Sequence, residues 1–379
     1  MPGEGPNPEL QEGLRQFHGV VKVGIERFNE GSLPEAVSML ELAERLHAEE
    51  KINTDSVEMV RCRLGDTLDR KRLKKFAENP DERALLRNFL RFFTALRPEG
   101  LLDELQREPK RDRRRLMLLL LEVHGTPARV AAYERLGHAL APDVEKHEWY
   151  FRRNLLYLLH LIPRSPGTRL EDEIDLVVRH AQFGLPVFVV KEAIGALGQL
   201  KDEKAENVLI RLLEELESML SRPQQTLYGA RDLRALVDRV VAALARFGTP
   251  RARHAVVGHA EKRNAELGDT MGWLVELGNQ NLSGDEVTID RLLGLIKAKL
   301  PSRLVGLVFH QNDQNIVHMI EALSGTPLPV VRRTLEEIVD LFSGQESGKA
   351  AARVLARFDK PRSTRAASSP PADWDPWRV

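Results

Sequence analysis

Val187 to Leu220, directly after Pro186, reads VFVVKEAIGALGQLKDEKAENVLIRLLEELESML. Val190, Ala193, Ile194 and Leu197 recur at i, i+3, i+4 and i+7, the spacing that puts apolar side chains on one helix face. Gly198 to Asp202 interrupts the pattern. It resumes with Ala205, Val208, Leu209, Leu212, Leu213, Leu216 and Leu220, and leaves Glu206, Arg211, Glu214, Glu215 and Glu217 for water. The unit is two amphipathic helices joined by a short turn, and similar units lie on either side of it.

Upstream, Val20, Val23, Gly24 and Phe28, then Ala36, Leu40 and Ala43, describe two helices around the turn Asn29 to Ser32. Small residues at Gly24, Ala36 and Ala43 allow close approach. The stretch Thr54 to Ala77 is a charged helical segment made basic by Arg70, Lys71, Arg72, Lys74 and Lys75. From Asp81 onward, helical pairs close on turns near Gly125, Pro163, Leu200, Gly248, Gly325 and Asp359, the first three about 38 residues apart. The Gly-Thr-Pro turns at Gly125, Gly248 and Gly325 end one helix on glycine and start the next on Thr-Pro. Ser221 to Gly229 reads as an insertion between helices.

Val190 to Gly198 is similar to the bacterial HEAT-repeat pattern of Val-Lys/Arg, two acidic or small residues and Ala-x-x-Ala-Leu-Gly. Asp238 to Phe247, followed by Gly248-Thr249-Pro250 and Ala252, is a second match. The resemblance covers roughly residues 81–360 and implies an all-α fold, an α-solenoid of stacked antiparallel helix pairs, a class with repeats of about 40–47 residues. Residues 14–48 resemble a single tetratricopeptide hairpin. The expected organisation is a disordered N-terminus (1–9), a helical region with that hairpin (10–80), the HEAT-like array (81–360) and a disordered Pro/Ser-rich tail (361–379) ending in Trp374-Asp375-Pro376-Trp377-Arg378-Val379.

Lys+Arg and Asp+Glu both number 56, so the net charge is zero. This argues against a protein devoted to nucleic acid, whose binding rests on phosphate neutralisation. The single cysteine, Cys62, excludes an internal disulfide and is expected as a small apolar residue on a helix. No secretory signal and no membrane-spanning run is legible, so a cytoplasmic location is expected. The eleven histidines show no HExxH or i, i+4 zinc spacing, and no phosphate loop or nucleophile elbow occurs. No metal, cofactor or catalytic residue is expected.

Arg114, Arg152, Lys191, Gln314 and Lys349 each fall about ten residues before a closing turn, with Arg153 and Arg239 beside them. One reading makes them a structural ladder in which each basic side chain meets an acidic or carbonyl group of a neighbouring turn. The other makes them a basic stripe for an acidic peptide or a phosphate backbone. Partner contacts are then expected at Arg113, Arg114, Trp149, Arg152, Arg153, Lys191, Arg239, Trp374 and Trp377. The expected function is a non-enzymatic scaffold holding a protein or peptide. Alternatives implied by the resemblance are a nucleic-acid-binding protein of the HEAT-like DNA glycosylase type and a bilin lyase or isomerase.

Overall fold

The computed structural model describes residues 8–49, 52–65, 67–138, 146–164, 169–222, 227–263, 271–300 and 314–359. Trp374 and Trp377 lie outside them, as does the whole tail 361–379. The described residues are helical, with one isolated β-bridge between Phe183 and Leu185. None of their helices is long and apolar enough to cross a membrane. The chain divides into two compact units, Met1–Leu200 and Lys201–Val379. The division falls inside the stretch that the repeat pattern treats as one array.

The first unit contains α1 (Pro8–Glu30), α2 (Leu33–Glu49), α3 (Thr54–Gly65), α4 (Arg70–Glu78), α5 (Arg83–Phe92), α6 (Pro98–Arg107), α7 (Arg111–His124), α8 (Thr126–Gly137), α9 (Lys146–Leu161), α10 (Leu170–Val178) and α11 (Val187–Leu200). Gly31, at φ 105°, turns α1 into α2. A Cβ on Gly24 would lie 3.2 Å from Leu40 Cδ2, so a small residue lets these helices close together. Phe28 of α1 stacks on Phe89 of α5 at 4.3 Å and leans on Phe76 of α4, which ties the hairpin into the unit. Cys62 lies on α3 as read, but it is exposed. The buried positions of α3 are Val57 and Arg61, and the residue after Arg61 turns about 100° away from them.

Two helices of the opening stretch differ from a simple one-face pattern. On α11, Val190, Ala193, Ile194 and Leu197 are fully buried as expected, yet Glu192, Gly195 and Gly198 are buried too, because α9 and α10 both pack against it. On α12 (Glu203–Ser221), Glu206 is buried rather than solvated, since it accepts the hydroxyl hydrogen bond of Thr249.

Basic side chains close many helix ends of the first unit. The last carbonyls of a helix lack intrahelical donors and carry its partial negative charge, so a cation there satisfies both needs. Arg87 Nε donates to Val123 O at 2.7 Å, and His124 Nε2 lies 2.8 Å from Leu96 O. Arg152 donates to the Leu136 and His138 carbonyls, both at 2.7 Å, at the end of α8. Arg129 on α8 does the same for α9, donating to Ile162 O at 2.8 Å and to Leu159 O, while its other amino group pairs with Glu173 of α10. Arg129 and Glu173 are only 5% and 3% exposed.

The second unit begins with α12 and continues through α13 (Ala230–Phe247), α14 (Pro250–Arg263), a 3-10 segment (Met271–Asn279), α15 (Glu286–Lys299), α16 (Gln314–Ala322), α17 (Pro329–Phe342) and α18 (Glu346–Phe358). Asp202 caps α12 by accepting from Lys204 N at 2.8 Å. Buried Asp285 caps α15 through Thr288 and also holds His254 at 3.2 Å. Gly248, at φ 80°, ends α13 before Thr249-Pro250 as the turn pattern predicts. The turn at Gly325 differs: α17 starts at Pro329, not at Thr326-Pro327. Here glycine is required by proximity, because a Cβ would come 2.0 Å from Gln280 O.

Arg129→Ala leaves a buried carboxylate and two carbonyls without their donor. The variant is expected to lose about 3–5 kcal/mol of stability, read as a lower urea midpoint; an unchanged midpoint would show that the contact is not needed.

Candidate functional site

Asn29, near the end of α1, donates from Nδ2 to Thr67 O at 3.2 Å and accepts from Asp69 N at 2.8 Å, so the loop entering α4 is pinned to α1. Asp69 then caps α4 by accepting from Lys71 N at 2.7 Å. On the far side, α6 starts tightly against the 3-10 turn Thr94–Leu96, where a Cβ on Gly100 would come 2.8 Å from the Thr94 and Ala95 carbonyls. Helix α7 packs on both α4 and α6. These elements leave a cleft of about 80 Å³. Its apolar lining includes the buried side chains of Leu68, Leu73, Leu101, Met117 and Leu120. Arg70, Ala95 and Glu104 are its exposed members, and Arg113 and Leu116 are half-buried.

Two basic runs of the sequence therefore meet around one apolar cleft. Arg70, Lys71 and Lys75 of α4 are exposed, and among the described residues no carboxylate pairs with them. Lys74 is shared with Glu78 at 3.6 Å. On the α7 side, Glu108 accepts from Lys110 N at 2.8 Å and pairs with Arg113 at 3.3 Å. Burial works to raise the Glu108 pKa, but these partners prevail and hold it below the usual carboxylate range. Arg114 is committed to backbone, donating to Glu108 O at 3.1 Å and Pro109 O at 2.6 Å.

Of the residues expected to contact a partner, Arg113 is at this cleft and Arg114 braces the loop beside it. Trp149 is half-buried on α9, and Lys191 is half-buried on α11. Arg152 and Arg153 are each only 4% exposed, Arg152 as the cap of α8 and Arg153 near Glu192. Burial lowers the Arg153 pKa, and the Glu192 charge works against it. Tyr157, next on the same face of α9, is pushed up to about 12 by burial and by Glu122 and Glu192. Glu122 in turn pairs with Arg83 at 2.8 Å, so a line of charge runs from α5 through α7 and α9 to α11. Arg239 is half-buried on α13 in the second unit. The cleft's apolar residues carry no sequence signal of their own, because they come from four separate segments; the two basic runs were the visible sign.

The second unit has a polar depression of about 500 Å³ lined by Glu214, Glu217, Ser218, Ser221 and Lys262. Glu217 is its fixed point, 2.8 Å from His259 Nδ1 and 2.9 Å from Lys262 Nζ. The His259 ring is fully buried and lies 5.9 Å from the Trp273 ring. Among the described residues no group of three or more His, Cys, Asp or Glu is placed to hold a metal ion.

No known protein family, curated protein or solved structure matches this chain.

Burial acts to raise the Glu217 pKa, yet hydrogen bonds from His259 and Lys262 outweigh it and hold the carboxyl below its ordinary value. A carboxylate depressed on folding stabilises fully above its unfolded pKa, ~4.3, and ceases to do so as pH falls through its lower folded value. Glu217→Gln is expected to cost about 1–2 kcal/mol at pH 7. Urea titrations should show that penalty unchanged down to about pH 5 and shrinking below about pH 4; a penalty independent of pH would contradict the assignment.

Proposed function

We propose that this chain is a non-enzymatic scaffold that holds a protein or peptide partner, with the partner seated on the α4, α6 and α7 face of the first unit. The observation that carries the reading is the apolar cleft between two cationic helix segments. An exposed apolar opening rimmed by charge is the form that a recognition site for a polypeptide takes. The finer fold reading, a HEAT-like solenoid of antiparallel helix pairs led by a tetratricopeptide-like hairpin, belongs to the same proposal. It is supported by helices that pack on their sequence neighbours, as α1 on α2, α8 on α9 and α17 on α18 do, and by positive-φ glycines at the Gly125 and Gly248 turns. Stacked repeats offer extended surfaces suited to polypeptides. A cytoplasmic setting goes with this reading.

The nucleic-acid alternative shares the cationic surface but has no use for the apolar cleft. It also meets a chain whose arginines are in several cases spent inside the fold, as Arg129 and Arg152 are. Arg113, Arg114, Trp149 and Lys191 remain the proposed contacts around the cleft and along the same unit. Arg152 and Arg153 support them from within, and Arg239, Trp374 and Trp377 are proposed as further contacts.

The intact chain used as bait at moderate salt is expected to retain a partner that Ala95→Phe, a substitution at an exposed position that fills the cleft mouth, loses at least ~10-fold. The variant's thermal melt should match the parent's. Retention of nothing beyond blank resin, or only of material displaced by duplex DNA, would overturn the scaffold.

A further inference from the structure

We infer that the cleft between α4, α6 and α7 receives one aliphatic side chain, leucine or methionine, from an acidic segment of a partner protein. The inference rests on the scaffold reading and names the chemistry of its site. Three observations carry it: the size of the cleft, the character of its lining and the charge at its mouth.

At about 80 Å³ the cleft exceeds the volume of a water molecule, ~30 Å³, and falls short of the ~150 Å³ cavity that encloses benzene. That gives room for the end of one aliphatic side chain. The lining is matched to such a group. Leu73, Leu101, Met117 and Leu120 offer methyl and thioether surface, and the flexible Met117 adapts to either leucine or methionine. Among the described residues no aromatic side chain lines the cleft, so they provide no platform on which a nucleotide base could stack.

Charge at the mouth then selects the sequence around the anchor. Among the described lining residues Glu104 is the one carboxylate beside Arg70 and Arg113, and Arg113 is already shared with Glu108. Around them, Lys71 and Lys75 of α4 are exposed, as is Lys110 at the start of α7. A segment with Asp or Glu on both sides of the anchor is attracted by this surface, and a basic segment is repelled. Burial of the anchor supplies the larger share of the affinity, while the exposed charges chiefly set orientation and partner choice.

The test uses the full chain and two fluorescein-labelled synthetic peptides of alternating glutamate and aspartate, one with a central leucine and one with glycine in its place. Fluorescence polarisation at low and moderate salt reports binding. The leucine peptide is expected to bind at least ~10-fold more tightly than its twin, the minimum that burying one such side chain supplies. Ala95→Phe should abolish that preference. Arg70→Glu, at an exposed position, should weaken both peptides and leave their ratio intact, which separates charge from anchoring and does not depend on Ala95→Phe folding. Circular dichroism checks both variants.

Equal binding of the two peptides would show that the surface recognises charge alone and would overturn the inference, as would binding of neither. Stronger binding of a duplex oligonucleotide, displacing both peptides, would overturn it in favour of a phosphate backbone. The bait experiment needs no knowledge of the ligand. A partner lost on Ala95→Phe while the peptides fail therefore retains the scaffold and rejects this anchor chemistry alone.

Discussion

Arg129 sits almost out of reach of water with three oxygen partners: the carbonyls of Leu159 and Ile162 and the carboxylate of Glu173. Each partner needs the arginine as much as it needs them. The carbonyls lie at the end of α9, where no further helical amide is available, and the carboxylate is buried on α10. One side chain from α8 thereby fixes where α9 ends and where α10 begins. An all-helical chain concentrates its unsatisfied backbone groups at helix ends, so the closer its helices pack, the more these ends must be supplied from neighbours.

The same device recurs through the first unit. Arg83, Arg87, Arg97, Arg114 and Arg152 all donate to backbone carbonyls at or just beyond helix ends. In the second unit Gln280 reaches Ala245 O near the end of α13. A chain with 56 cationic residues balanced by 56 anionic ones can therefore spend many of its cations internally. Those on α4 stand out by contrast, because no described carboxylate takes up Arg70, Lys71 or Lys75.

The cleft beside them exists for a packing reason. Gly100 lets α6 begin against the carbonyls of Thr94 and Ala95, closer than any side chain would permit. The 3-10 turn Thr94–Leu96 and the apolar faces of α4, α6 and α7 line the space between them. Such a space forfeits dispersion contacts in the free protein, and an occupant regains them. The polar depression around Glu217 works differently. Its central carboxylate is already satisfied by His259 and Lys262, and it holds α12 to α14.

The sequence by itself determined the helices, because the 3.6-residue period and the glycine and proline stops are local properties of the chain. Val190, Ala193, Ile194 and Leu197 are buried as their spacing demands, and Gly125 and Gly248 take the positive φ that their turns require. Only the tertiary structure decided what the polar residues do. Glu206 has the pattern of a solvated position and is buried on Thr249, Cys62 has the composition of a core residue and is exposed, and Arg152 is an internal cap. Nothing local separates these cases, since each depends on which residue a distant helix brings within hydrogen-bond reach. The cleft belongs with them: its two basic runs are visible in the chain, but their meeting around Met117 and Leu73 is a property of packing alone.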